Sequence, residues 1–115
     1  MLLRDKQSTF VILVADLIHH ATDLGYELTF GETYRSPEEA ERLSKLGKGI
    51  RGSLHTLRLA IDLNLFKNEQ FLISTQDYRP LGEWWEKQST AEYSCYWGGR
   101  FGDGNHFSIG HNGRK

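Results

Sequence analysis

The chain has 115 residues, 38% of them apolar and 12% aromatic, the composition of one compact domain spanning residues 1–115 around one hydrophobic core. Its 14 Lys and Arg against 15 Asp and Glu give no global field to draw in nucleic acid or an anionic membrane, so a general DNA-binding protein is disfavoured. The single cysteine, Cys95, excludes an intrachain disulfide and a Cys-rich zinc finger, which leaves histidine and carboxylate to hold any metal.

The opening Met1-Leu2-Leu3-Arg4-Asp5-Lys6 lacks the charged, apolar, small-residue order of a signal peptide. The apolar run from Phe10 to Ala15 is too short to span a bilayer. The expectation is a chain made in the cytoplasm, without stable membrane insertion.

From Ser8 to Leu24 the apolar Phe10, Val14, Leu17, Ile18 and Ala21 recur at helical steps, with Ser8 as cap and Gly25 as stop. Tyr26 to Phe30 alternates like a short strand and delivers Arg35 near its end. Ser36-Pro37-Glu38-Glu39 is a helix start: a capping residue, Pro at the first helical position and acids in the first turn. The helix it opens is predicted over Pro37 to Leu46. The glycine-spaced basic loop Gly47 to Ser53 lacks the Gly-Lys-Ser/Thr ending of a phosphate cradle.

Leu59 to Phe66 reads as a strand, Lys67-Asn68-Glu69 as a turn and Gln70 to Ile73 as the returning strand. Asp77 to Gln88 reads as a helix with Leu81, Trp84 and Trp85 on its inner side. The glycine-rich stretch after Tyr93 leads to a last strand at His106 to Ile109. The outline is an α+β fold, a small, mainly antiparallel sheet packed against helices.

Chemistry concentrates in two places. In Ser53-Leu54-His55, followed by Ala60-Ile61-Asp62, a histidine in a glycine loop precedes an aspartate set among apolar strand residues. A carboxylate there needs compensation, by a neighbouring arginine or by a metal ion. Asp103-Gly104-Asn105-His106 then adds a second histidine with an acid three residues before it. Two His and one Asp form the donor set of a hydrolytic zinc site with an open position.

Together with Tyr34-Arg35-Ser36, these segments resemble the zinc metallopeptidases that include phage L-alanyl-D-glutamate endopeptidases (endolysins) and D-alanyl-D-alanine carboxypeptidases. The family pattern is Ser-x-His, Gly-x-Ala-x-Asp and Asp/Glu-x-x-His, with an upstream arginine. It runs in order through about residues 28 to 109, with one departure: Arg58 stands where the pattern has glycine, a position at which a side chain strains a left-handed backbone.

The resemblance implies a hedgehog-like fold of the D-Ala-D-Ala peptidases and one zinc ion on His55, Asp62 and His106. It also implies Asp103 as general acid and base, and Arg35 as catalytic and substrate-binding through its fixed charge, on a substrate carboxylate or a developing oxyanion. Trp97, in a Trp-Gly-Gly setting, is a substrate-binding candidate, and Ser53 supports the His55 loop. The basic residues Arg42, Lys45, Lys48, Arg51 and Arg58 attract an acidic substrate or form a solvated face. His19, His20 and His111 have no such partners, and Cys95 reads as a small buried residue.

The implied activity is cleavage of peptidoglycan stem peptides by a phage or prophage endolysin at the L-Ala-D-Glu bond. Such a monomer would act on the cell wall from the host periplasm, with a separate holin-type protein giving access. The alternatives are a D-Ala-D-Ala carboxypeptidase and a non-catalytic, zinc-stabilised module that binds wall or protein.

Overall fold

The computed structural model describes residues 1–115. Helix α1 (Leu3–Asp23) leads to strand β1 (Glu27–Phe30), helix α2 (Pro37–Lys45), a 3-10 turn (Leu54–Leu57) and the central strand β2 (Ala60–Lys67). The short β3 (Gln70–Phe71), helix α3 (Thr75–Glu86), β4 (Cys95–Trp97), a second 3-10 turn (Gly98–Phe101) and β5 (His106–Ile109) complete the chain. The strands run in the order β1-β2-β5-β4, with β3 folded onto β2, and every pairing is antiparallel. The α+β architecture read from the sequence is the one observed.

Along β2 the side chains alternate. Ile61, Leu63 and Leu65 are buried, whereas Asp62 and Asn64 are half-buried on the opposite face. The apolar face packs with Leu17 and Ala21 of α1, Leu81 and Trp85 of α3, and Phe107 and Ile109 of β5 in one cluster. Each large side chain sealed there contributes about 1.5–3 kcal/mol. Trp85 is the hinge of this packing: its ring meets Phe10 and Phe107 edge-on at 5.9 and 6.0 Å, and its indole N–H donates to the Ser108 carbonyl at 3.0 Å. Helices α1 and α3 thus occupy one side of the sheet and leave Asp62 and its neighbours on the other, where the segments flanking α2 line the same cavity as Asp62.

Several boundaries differ from the sequence reading. Helix α1 begins at Leu3 rather than Ser8, with no side-chain cap. Nothing before Ser8 breaks a helix, and Gln7 anchors the added turn by donating to the Leu57 carbonyl at 2.7 Å. Helix α3 starts two residues early because Ser74 and Asp77 form a reciprocal capping box. At α2, Ser36 caps the Glu39 N–H, but the Glu39 carboxylate binds Arg42 instead of closing the box.

The returning strand is two residues long, not four. The Tyr78 hydroxyl accepts from the Leu65 N–H at 3.1 Å and donates to the Leu72 carbonyl at 2.8 Å. It thereby replaces the return bond of the Leu65–Leu72 pair, in which the Leu72 N–H still donates to the Leu65 carbonyl at 2.9 Å, and the ladder ends there.

Candidate metal centre

Asp62 and His106 are brought together by strand register. They are direct partners across β2 and β5, and Asp62 Oδ1 lies 3.2 Å from His106 Nδ1. Backbone bonds lock Asp62 on its other edge as well: its N–H donates to the Glu32 carbonyl and its carbonyl accepts from Gly31, both at 2.8 Å.

His55 arrives from the first 3-10 turn. Ser53 caps that turn by accepting from the His55 N–H at 3.2 Å. His55 Nδ1 lies 2.9 Å from the Thr33 carbonyl, an acceptor only, so Nδ1 carries the proton and Nε2 keeps its lone pair toward the site. Nε2 stands 3.3 Å from Asp62 Oδ1.

One ligand atom from each of His55, Asp62 and His106 lies within 4.8 Å of the other two. The donor set fits a divalent metal of the zinc type: two imidazoles, one of them oriented by a backbone carbonyl, and one carboxylate, on three rigid elements. The buried Nε2 of His106 makes no hydrogen bond, so the polar contacts of that ring run through Nδ1, toward Asp62 and, at 3.9 Å, Asp103 Oδ2.

Electrostatics bind the cluster together. Burial pushes the Asp62 carboxyl up, but hydrogen bonds and charge from His106 and His55 outweigh it and hold the group down to about 2. Burial lowers His55, and its contacts with Asp62 and Thr33 reverse that to a net upward shift. Asp103 moves the other way from Asp62. Partial desolvation raises its carboxyl, His106 opposes, and the Asp62 carboxylate reinforces the rise.

Asp103 lies outside the ligand set with its side chain 52% exposed. Its loop is held by glycine. The Asp103 N–H donates to the Gly98 carbonyl at 2.8 Å, and a Cβ on Gly98 would overlap the Asp103 carbonyl. Arg35 completes the wall: its N–H donates to the His55 carbonyl at 3.1 Å and its guanidinium pairs with Glu32. A cavity of about 280 Å³ joins Arg35, Lys48, His55, Asp62, Asp103 and His106.

Trp97 does not join them, which corrects its assignment as a substrate-binding residue. In register it pairs with Phe107, as does Ile61, so it points to the helix side and is 1% exposed. Its part is structural: the indole N–H donates to the Gly104 carbonyl at 2.7 Å and pins the loop that carries Asp103. Of the five basic residues, only Lys48 lines the cavity. Arg42 is paired with Glu39, Lys45 and Arg51 with Glu41, and Arg58 stacks on Tyr34 at 4.0 Å.

His20 stacks on Trp84 and His111 contacts Lys6, both away from the centre. Glu32 is the residue the sequence reading missed. It pairs with Arg35 and reaches to 3.8 Å from His55 Nε2, and its only sequence signal was a place three residues before Arg35.

A family model described as D-alanyl-D-alanine carboxypeptidase matches residues 47–109, more than half of the chain. The chain belongs to this family of M15 zinc metallopeptidases, a class that acts on peptidoglycan. The match takes in His55, Asp62, Asp103 and His106 and begins after Arg35. No curated protein matches the chain. No helix is long and apolar enough to cross a membrane.

Proposed function

We propose that the chain is a zinc-dependent peptidase that hydrolyses the L-Ala-D-Glu bond of peptidoglycan stem peptides, as a phage or prophage endolysin does. The observation that carries this reading is the cavity itself. Three ligand side chains share it with one carboxylate outside the ligand set, Asp103, and one guanidinium, Arg35.

His55, Asp62 and His106 would hold the zinc, which when bound supplies Lewis acidity at the scissile carbonyl. Asp103 takes the proton of the attacking water and passes it to the leaving amine. Its upward-shifted carboxyl brings it nearer the pH at which one group can do both. Arg35, charged at every working pH, holds the carboxylate next to the scissile amide, and its pairing with Glu32 sets the direction of the guanidinium. The enzyme acts as a monomer on the wall from the periplasmic side, a separate holin-type protein giving it access.

The description of the matched family supports a second reading, D-Ala-D-Ala carboxypeptidase, in which Arg35 holds a terminal carboxylate. Purified Gram-negative peptidoglycan and defined muropeptides, digested by wild type and Asp103→Ala with metal content measured on both, separate the readings. New D-Glu amino termini from wild type, with the variant holding zinc but inert, support the endopeptidase. Release of free D-Ala alone overturns it. Zinc bound by both with no cleavage by either favours a binding module.

A further inference from the structure

Asp103 is wall to two cavities. One is the metal cavity; the other, of about 240 Å³, lies between the loop Gly102 to Asn105 and the segment Phe71 to Thr75. The two differ in charge. The metal cavity carries Arg35, Lys48 and Lys115, whereas Asp103 is the one acidic or basic side chain of the second, whose other wall presents Phe71, Leu72 and Ile73. Phe71 is 53% exposed and Ile73 80% exposed, so apolar side chains stand open to water beside the reacting groups.

Both walls of this second cavity are fixed in advance. The Tyr78 hydroxyl holds the Leu72 carbonyl and the Leu65 N–H. On the facing side Trp97 pins the Gly104 carbonyl, and Gly104 packs so closely that a Cβ on it would stand 2.8 Å from Thr75 Cα. A surface held this way binds without first being ordered.

We infer that this cavity is the subsite for the acyl side of the scissile bond and takes an uncharged, methyl-bearing group. The inference rests on the L-Ala-D-Glu reading above. A peptide whose scissile bond lies beside Asp103 sends its two halves to different surroundings. The half bearing the D-Glu α-carboxylate goes to the cationic metal cavity. The other half is L-alanine acylated by a lactyl group, two methyls and no charge, and matches the neutral, apolar cavity. A carboxylate placed there would lie against Asp103 with no cation lining the cavity to offset it.

The test uses zinc-loaded enzyme and two peptides that share an L-Ala-D-Glu bond and differ in the acyl group on alanine, neutral lactyl or anionic succinyl. Wild type should prefer lactyl by about tenfold or more in kcat/KM. Ile73→Lys should bring the ratio toward parity and Ile73→Glu should widen it. Both should leave the preference for D-Glu over D-isoglutamine, its α-amide, on the amine side unchanged. Ile73 is exposed enough for both variants to fold, and Phe71→Lys is a second cationic probe of the same wall. Cleavage without acyl preference, or wild-type preference in all three variants, overturns the subsite while the function stands. Failure of zinc-loaded wild type to cut L-Ala-D-Glu in whole peptidoglycan overturns the function, and the subsite with it.

Discussion

Gly98 and Asp103 are joined so closely that Gly98 has no room for a side chain. The Asp103 N–H donates to the Gly98 carbonyl at 2.8 Å, and a Cβ on Gly98 would stand 2.7 Å from His106 Cβ as well as overlapping the Asp103 carbonyl. The constraint is one of space, since Gly98 is not among the residues with positive φ. One glycine therefore sets the distance between the proposed base and a proposed ligand.

Gly98→Ala should push the Asp103 loop outward. The expected result is a loss of about 1–3 kcal/mol of stability, the usual cost of forcing atoms into packed space, with wall hydrolysis falling at least tenfold. Thermal unfolding and hydrolysis measured on one preparation check both. Wild-type activity would mean that the loop position is not needed.

Asp103→Ala removes no ligand and leaves the backbone bond to Gly98. Metal content and unfolding midpoint should match wild type while turnover falls about a hundredfold or more. Unchanged turnover would remove Asp103 as the base.

Substitution of His55, Asp62 or His106 by alanine should abolish metal retention and activity together. The three need not be equal. Loss of Asp62 also strips both imidazoles of their shared carboxylate, so its metal-free form should differ most from metal-free wild type. Equilibrium dialysis against zinc, with unfolding of the stripped proteins, gives both readouts.

The pH dependence of the metal-free chain follows from two opposite shifts. Asp62 is held down from 3.8 to about 2, so its contribution is present above 3.8 and is lost as pH falls toward 2. His55 is raised from 6.5, so its contribution is complete below 6.5 and is lost as pH rises through its raised value. Urea midpoints of chelator-treated protein should therefore peak between pH 3.8 and 6.5. Zinc affinity should run the other way across the His55 transition, because a ligand imidazole must be neutral, and should weaken as pH falls.

The approach of His55, Asp62 and His106 to one another was legible because each sits in a short motif whose spacing survives in one dimension, and because Asp62 stands out among Ile61 and Leu63. Helix α2 was legible from a cap with proline, and strand β5 from the glycine-rich stretch that leads into it. What escaped depends on partners distant in sequence. Trp97 lies on a three-residue strand, too short for alternation to name its face; only register with Phe107 turns it inward. Glu32 reads as a surface acid until the Asp62 N–H draws its backbone to the site. The early end of β3 depends on the Tyr78 hydroxyl, which arrives from the next helix. Cys95 was legible as a small buried residue, and burial pushes its thiol up to about 12.

Arg58 occupies the family's glycine position with φ 56 and ψ 37, a left-handed backbone. That conformation costs an L-residue roughly 1–2 kcal/mol. The guanidinium lies 4.0 Å from the centroid of the Tyr34 ring, a contact contributing about 0.5–1 kcal/mol at an exposed site. Arg58→Gly relieves the strain but loses the stacking and adds about 0.4–1 kcal/mol of unfolded-chain entropy, so the sum lies close to zero. Arg58→Ala keeps the strain and loses the stacking, and should be the less stable of the two by up to about 1 kcal/mol. Urea unfolding of both variants beside Tyr34→Leu checks the account. If Arg58→Ala equals wild type, the stacking on Tyr34 contributes nothing, and some other contact holds the turn that carries His55.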